Sequence, residues 1–134
     1  MTPGGGDGTA QAMAVDALLA RCDPRVAAIA EAVRRRLLAL LPGVVEEADA
    51  AANVVGYGYG AGYSNLICTL ILSKKGVKLG FYRGAGLPDP HRLLEGSGKV
   101  HRYVEIAAPE GAGDRSLEQL ILAAAAAHRE RTGG

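Results

Sequence analysis

The sequence contains no tryptophan and only one phenylalanine, so its interior cannot be built around large aromatic side chains. Apolar residues nevertheless make up 49% of the chain against 22% charged residues, which is the balance of ordinary globular domains and excludes a disordered or fibrous protein. The core must therefore be mainly aliphatic. With 134 residues, the chain is long enough for one hydrophobic core and too short for two independent domains.

Cysteines and long apolar runs are also scarce. The two cysteines, Cys22 and Cys68, are too few and too far apart for a disulfide framework or a zinc knuckle. No stretch approaches the roughly 18 continuous apolar residues of a membrane helix, and the N-terminus lacks a basic run followed by an apolar segment. We therefore expect a cytoplasmic protein that does not bind membranes.

Neither sign of charge dominates. The chain carries 15 Lys and Arg residues against 14 Asp and Glu residues, and the two signs alternate along most of its length. A global field of this size would not gather a polyanion. Nucleic acid is therefore not an expected partner.

Glycines are frequent in two segments of the chain, residues 1–10 and residues 56–62. Residues 1–10 hold too many glycines and too few apolar positions to offset the entropy of ordering, so we predict a disordered tail there and one domain over residues 11–131. A short helix is predicted over Gln11–Arg21. The glycines of residues 56–62, which alternate with tyrosines, indicate a flexible turn.

The clearest predicted element is a helix over Pro24–Leu41. Asp23 is a good N-cap and proline suits the first helical position, where its missing N–H would be unpaired. Apolar residues then recur at helical spacing, which predicts that Val33 and Leu37 are buried and that Arg35 is exposed.

Short apolar runs broken by glycine predict strands in the rest of the chain, over Val44–Ala48, Asn53–Tyr57, Asn65–Ser73, Val77–Tyr82 and Val100–Ile106. The first two could also form one long bent strand. We predict that Gly84–Lys99 is mostly loop, with one helical turn at His91–Glu95, and that a second main helix covers Ser116–Arg129. These elements predict an α+β fold with an antiparallel sheet of four to six strands and the two main helices on one face.

Three stretches together carry a family resemblance. Leu79–Pro90 (LGFYRGAGLPDP), Leu93–Lys99 and Arg102–Val104 resemble the YdhG-like family, whose members largely lack an assigned function. Weaker similarity runs from about Met13 to Ala126. The resemblance implies a frataxin-like architecture, with two helices on one face of an antiparallel sheet, and one branch of the family is described as an intracellular iron chaperone. This chain has Tyr103 where a histidine is frequent in the family, so no histidine role is carried over.

Arg102 is the most informative charged residue, because alternation along the last predicted strand puts it on the apolar face. A buried unpaired charge costs several kcal/mol, so this arginine must pair or line a cleft. We favour an ion pair with Asp89 or Glu95. The alternative is a small-anion site, whose candidate ligand-binding residues are Arg83, Asp89, Lys99 and Arg102.

We predict no metal site. Iron carriage needs hard oxygen ligands on one accessible face, but the main helix carries the basic run Arg34–Arg36, and we interpret Glu46, Glu47 and Asp49 as a solvated turn. We therefore expect no specific ferrous binding. The three histidines are too far apart for a zinc site and are interpreted as surface residues: His91, His101 and His128.

Signals of catalysis are weak. Gly96–Lys99 is similar to a phosphate-binding loop but leads into a strand rather than a helix, so we interpret it as a glycine turn. No serine or cysteine occupies a nucleophile-elbow motif. We predict no catalytic residues and no cofactor.

Three hypotheses of different classes remain. The first is a non-enzymatic binding domain whose Gly84–Lys99 loop and Arg102 hold a small anion or an acidic partner. The second is a frataxin-like iron carrier that uses Glu46, Glu47 and Asp49, and the third is an enzyme of unknown reaction. The sequence leaves the oligomeric state open, a homodimer included.

Overall fold

A computed structural model describes residues 3–60 and 65–133 of the chain. Its helices and strands follow in the order α1 (Pro3–Ala20), α2 (Pro24–Leu40), β1 (Val45–Asp49), β2 (Val54–Gly58), β3 (Leu66–Leu72), β4 (Val77–Phe81), β5 (Arg102–Ile106) and α3 (Arg115–Thr132). Short 3₁₀ turns lie at Gly84–Gly86 and Pro109–Gly113. None of these described helices is both long and apolar enough to cross a membrane.

The five strands form one antiparallel sheet in the order β1-β2-β3-β4-β5, so strands that follow each other in the chain are neighbours in the sheet. Such a meander needs only hairpin connections. The predicted α+β class and the predicted number of strands are confirmed.

One face of the sheet carries the core. Val55, Leu70, Leu79 and Val104 pair in register across four strands, and all four are buried. The buried side chains of all three helices belong to the same core, and both α2 and α3 contact β3. Full burial of an aliphatic side chain contributes about 1.5–3 kcal/mol. This aliphatic layer therefore holds the helices on the sheet.

Helix α2 forms for the predicted reasons. Asp23 accepts a hydrogen bond from the backbone N–H of Arg25 at 2.9 Å, and proline occupies the first helical position. Val33 and Leu37 are buried while Arg35 is exposed, which confirms the predicted helix face. Helix α3 begins in the same way, with Asp114 as its N-cap.

The N-terminal helix is longer than predicted. Helix α1 begins at Pro3, inside the segment predicted as a disordered tail, whereas the sequence predicted a helix only from Gln11. Proline at the first helical position favours this start. Val15, Leu18 and Leu19 anchor the second half of the helix in the core.

The β1 and β2 region is a hairpin rather than one long bent strand. Asn53 has a φ of +56°, a left-handed conformation that asparagine adopts more readily than most residues, and it closes the turn between the two strands. Gly56 and Gly58 lie in β2, so the predicted flexible turn is wrong for these two residues. Gly62 lies outside the described residues.

The segment after β4 is mostly loop, as predicted, but its helical turn lies elsewhere. The turn is the 3₁₀ segment Gly84–Gly86, and the predicted turn at His91–Glu95 is wrong. Glu95 instead exchanges two backbone hydrogen bonds with Tyr103. The loop therefore folds back along β5 and covers that edge of the sheet.

Candidate functional site

The face of the sheet opposite the core carries a shallow groove. Its middle row of residues, read across the five strands in register, is Glu47, Gly56, Thr69, Gly80 and Tyr103. The three central residues are small, while the residues at the two ends are large. The row therefore forms a trough that runs across the strands.

The two glycines of the trough have no side chain, so the side chains of neighbouring residues pack over their backbone. A Cβ atom on Gly80 would lie 2.7 Å from Thr69 Oγ1 and 3.1 Å from Ile71 Cδ1. A Cβ atom on Gly56 would lie 3.0 Å from Leu66 Cδ2. Three neighbouring side chains therefore occupy space that any other residue would fill at these two positions.

Two cavities lie along the trough. The aromatic cavity, of about 320 Å³, is lined by Leu66, Thr69, Ile71, Gly80, Phe81, Tyr82, His101, Arg102 and Tyr103. The acidic cavity, of about 280 Å³, is lined by Val45, Glu47, Asp49, Val54, Gly56, Gly58, Gly60, Leu66 and Thr69. Leu66 and Thr69 line both cavities, which are therefore adjacent on this face of the sheet, and we call the pair the sheet groove.

Cationic groups surround the aromatic rings of the aromatic cavity. The guanidinium carbons of Arg83 and Arg131 lie 5.7 Å and 5.8 Å from the centroid of the Tyr82 ring, and the His101 ring lies 5.1 Å from it. These cation distances fall within the range of a cation–π interaction. The ring of Tyr82 therefore lies near two guanidinium groups and one imidazole ring.

These arginines have no carboxylate partner within the described part of the chain. The salt bridges between described residues all involve arginines of the run 34–36 on α2. Arg83, Arg102 and Arg131 belong to none of them. The aromatic cavity is therefore bordered by positive charge that the described acidic residues do not neutralise.

The predicted ion pair of Arg102 with Asp89 or Glu95 is wrong for the described residues. Arg102 Nη1 instead donates a hydrogen bond to the carbonyl oxygen of His101 at 3.1 Å. The backbone of Glu95 pairs with β5, and the side chain of Asp89 has other partners. Arg102 is half-buried and is one of the residues that line the aromatic cavity, and the small-anion alternative stays a prediction.

The four predicted ligand-binding residues divide into three groups. Arg102 lines the aromatic cavity, and Arg83, which does not line it, places its guanidinium over the ring of the lining residue Tyr82. Asp89 fixes the loop, because its carboxylate accepts hydrogen bonds from the backbone N–H groups of Leu93 and Leu94, both at 2.9 Å. Lys99 is exposed in the loop before β5 and lines neither cavity.

Sequence reasoning missed Tyr82, His101, Tyr103 and Arg131 at this site. A signal existed for Tyr82 and Tyr103, since strand alternation placed both on the polar side of their strands. Arg131 gave no such signal, because it reaches Tyr82 only through the packing of α3 beside the sheet.

The acidic group of β1 is not a solvated turn, as the sequence predicted, but part of a strand. Strand alternation turns Glu46 into the core, while Glu47 and Asp49 lie on the opposite face. The three carboxylates therefore do not converge. Within residues 3–60 and 65–133, no group of three metal-ligating side chains comes together. The absence of specific ferrous binding stays a prediction.

Glu46 belongs to a buried network that the sequence did not indicate. Arg34 donates to Glu46 through Nε at 2.7 Å and Nη2 at 3.1 Å, and it also donates to Asp16 through Nη1 at 2.6 Å. Tyr57 donates its hydroxyl to Glu46 Oε1 at 2.8 Å. The hydrogen bond to Glu46 raises the pKa of Arg34, and burial raises the pKa of Tyr57. The network joins α1, α2, β1 and β2, which makes it structural.

His128 on α3 is buried, contrary to its predicted surface position, whereas His91 and His101 are exposed as predicted. Its Nε2 lies 3.4 Å from Asn65 Oδ1, and its buried Nδ1 has no hydrogen-bond partner in the described structure. Burial lowers the pKa of His128, and nearby arginines of α3 lower it further.

Stability should therefore fall with His128 protonation. The folded pKa lies below the unfolded value of about 6.5, so the unfolded chain binds the proton first as the pH drops. The stability that neutral His128 contributes is fully present above about pH 6.5 and is lost as the pH falls towards the folded pKa. Urea denaturation of wild type from about pH 7.5 to 5.5 should show this loss, and His128→Gln should lack it. His91→Gln is the exposed control, and equal slopes for all three proteins would contradict the assignment.

Comparisons of the chain with protein-family models, with curated proteins and with solved structures find no match. The resemblance to the YdhG-like family therefore stays a prediction. The candidate function must be argued from the sheet groove itself.

Proposed function

We propose that this chain is a non-enzymatic cytoplasmic binding domain for a small organic anion with a flat, apolar body. The observation that carries the proposal is the aromatic cavity, whose apolar and aromatic walls are bordered by arginines without carboxylate partners among the described residues. The free thiols of Cys22 and Cys68 suit a reducing compartment.

The size and chemistry of the cavity select the ligand. A volume of about 320 Å³ lies at the lower end of the range for small-molecule pockets. Tyr82 and Tyr103 offer faces and edges for a planar group, while Arg102 and Arg83 offer charge-assisted hydrogen bonds to a carboxylate. A compact inorganic anion would use the charge and leave the apolar walls unfilled. An aromatic carboxylate uses both.

The side chain of Arg83 is exposed and lies beside the aromatic cavity. This residue has a φ of +62°, in the left-handed region that glycine adopts without steric cost. Arginine is therefore a poor choice for the conformation of this turn. Its guanidinium lies over Tyr82, beside the aromatic cavity. Arg92, in the same loop, has a similar φ of +54° and lines neither cavity, so it is the position of the Arg83 guanidinium that supports a role in binding.

The lining of the aromatic cavity favours binding over catalysis. His101 is the one imidazole among the described lining residues, which include no serine, cysteine or carboxylate, and the hydroxyl of Thr69 makes no hydrogen bond with this imidazole in the described structure. Nucleophilic catalysis needs a nucleophile within hydrogen-bond reach of a base. Burial raises the pKa of the Cys68 thiol to about 12, which makes that residue an inert core group.

Calorimetric titration with naphthoate, inorganic phosphate and naphthylmethanol tests the proposal. Naphthoate should bind more tightly than either of the others, because it alone joins charge to an apolar body. Arg83→Gly and Arg102→Ala should each weaken naphthoate binding about tenfold, the loss of one charge-assisted bond. The melting temperature of Arg83→Gly should not fall, because glycine relieves the left-handed backbone.

Arg92→Gly is the matched control. Arg92 has a φ of +54°, is exposed in the same loop and lines neither cavity of the sheet groove. Its replacement should therefore relieve a similar strain and leave naphthoate binding unchanged. Equal binding of naphthoate and naphthylmethanol, or equal losses for Arg83→Gly and Arg92→Gly, would refute the proposed anion site.

A further inference from the structure

The sheet groove extends well beyond the aromatic cavity, and this inference rests on the function proposed for that cavity. On the other side of Leu66 and Thr69, which line both cavities, lies the acidic cavity, of about 280 Å³. A ligand confined to the aromatic cavity would leave nearly half of the groove empty. The properties of the second half therefore bear on the kind of ligand.

The two ends of the groove are separated by a defined length. Gly80 lies on β4 and Glu47 on β1, in the same row of residues across the sheet. Three strand spacings separate them, which corresponds to about 14 Å. A ligand that fills both cavities must therefore be elongated and must lie across the strands.

The two ends also differ in charge. Glu47 and Asp49 line the acidic cavity, are exposed, and take part in none of the salt bridges between described residues. The opposite end is bordered by the guanidinium groups around Tyr82. Between the ends the surface is made by Leu66, by Thr69 and by glycine. The groove therefore runs from positive charge to negative charge over an uncharged middle.

We propose that the ligand is a bipolar molecule with an aromatic carboxylate at one end and an ammonium group at the other. The aromatic carboxylate occupies the aromatic cavity, a hydrocarbon linker crosses Leu66 and Thr69, and the ammonium group reaches Glu47 and Asp49. Single-stranded nucleic acid or an acidic peptide, with negative charge along its length, would meet repulsion from these two carboxylates. The acidic end thus rejects polyanions that the arginines alone would attract.

Three matched probes test the inference: naphthoate alone, naphthoate with an alkyl tail of about 14 Å that ends in ammonium, and the same compound ending in a hydroxyl. The ammonium probe should bind about fivefold more tightly than the hydroxyl probe, because it gains exposed ion pairs with two carboxylates, which add only modestly to affinity. Glu47→Gln combined with Asp49→Asn should abolish that preference and leave the affinity for plain naphthoate unchanged. Glu105→Gln is the control, because Glu105 is an acid on the opposite edge strand.

Backbone amide shifts provide a second measurement that does not depend on the variants. Of the amide signals of Gly80 and Gly56, plain naphthoate should shift only that of Gly80, whereas the ammonium probe should shift both. If naphthoate binds while the two tailed probes bind equally, the bipolar ligand is refuted and the anion site stands. If no naphthoate compound binds, both proposals fail. A single-stranded oligonucleotide that binds more tightly than the ammonium probe would also overturn the bipolar ligand.

Discussion

Replacing Glu46 with alanine should lower the free energy of unfolding by about 3–5 kcal/mol, the cost of leaving one member of a buried ion pair without its partner. Arg34 is 7% exposed and Glu46 is 8% exposed, so neither charge is solvated when the other is removed. The substitution also leaves the buried hydroxyl of Tyr57 without its acceptor. Asp16 and Glu31 would keep their contacts with the Arg34 guanidinium, at 2.6 Å and 3.5 Å, but both carboxylates are far more exposed than Glu46 and do not replace it.

Urea denaturation of three variants distinguishes two causes of lost stability, an unpaired buried charge and the loss of side-chain packing. Glu47→Ala, one residue further along the same strand but exposed, should stay within about 0.5 kcal/mol of wild type. Arg34→Met combined with Glu46→Leu removes both charges, and this double variant should be more stable than Glu46→Ala alone. A Glu46→Ala protein within about 1 kcal/mol of wild type would show that the network contributes little to stability.

This network changes how the iron hypothesis has to be tested. A loss of metal binding in a Glu46 variant would have no clear meaning, because the same variant is expected to lose stability. Glu47 and Asp49 are the residues of the acidic group that face away from the core. Their amide variants, Glu47→Gln and Asp49→Asn, remove charge from the sheet groove without touching the buried network.

The elements with strong local signals could be predicted from the sequence. Helix α2 has an N-cap, a proline at its first position and an apolar stripe of helical period, and all three act within the segment itself. Strand β4 alternates apolar and polar residues, which sets its buried face. Such signals depend on neighbours along the chain, and they do not depend on the tertiary structure.

The candidate site was only partly predictable, because its residues meet through tertiary contacts. Arg83 and Arg102 could be selected from the loop and the last strand, but Arg131 comes from the far end of α3. The pairing of Arg34 with Glu46 could not be predicted either, because it also depends on a tertiary contact. Glu46 lies on a strand whose alternation was masked by neighbouring acids and alanines, so its inward direction became clear only with the register of β1 against β2.

The glycines of β2 show how a local signal can mislead. Alternating glycine and tyrosine indicated a flexible turn, yet Gly58 lies at a bulge where β2 pairs closely with β3. The pairing register shifts between Tyr57 and Gly58, so Tyr57 lies opposite Cys68 and Gly58 opposite Leu66. Tyr59 then donates its backbone N–H to the carbonyl oxygen of Asn65 at 3.3 Å. Glycine serves close backbone approach here.

Replacing Gly58 with alanine should therefore cost about 3 kcal/mol of unfolding free energy, the upper part of the range for overpacking. A Cβ atom there would lie 2.2 Å from the carbonyl oxygen of Asn65 and 3.2 Å from the Cα of Leu66, both backbone atoms that move only if the strands separate. Gly56→Ala should cost less, because its Cβ would meet the Leu66 side chain, which can rotate away. Gly86→Ala, with open space around it, should be neutral or slightly stabilising. Urea denaturation of the three variants should give losses in the order Gly58, Gly56, Gly86, and equal losses for Gly58→Ala and Gly86→Ala would show that the two strands do not approach this closely.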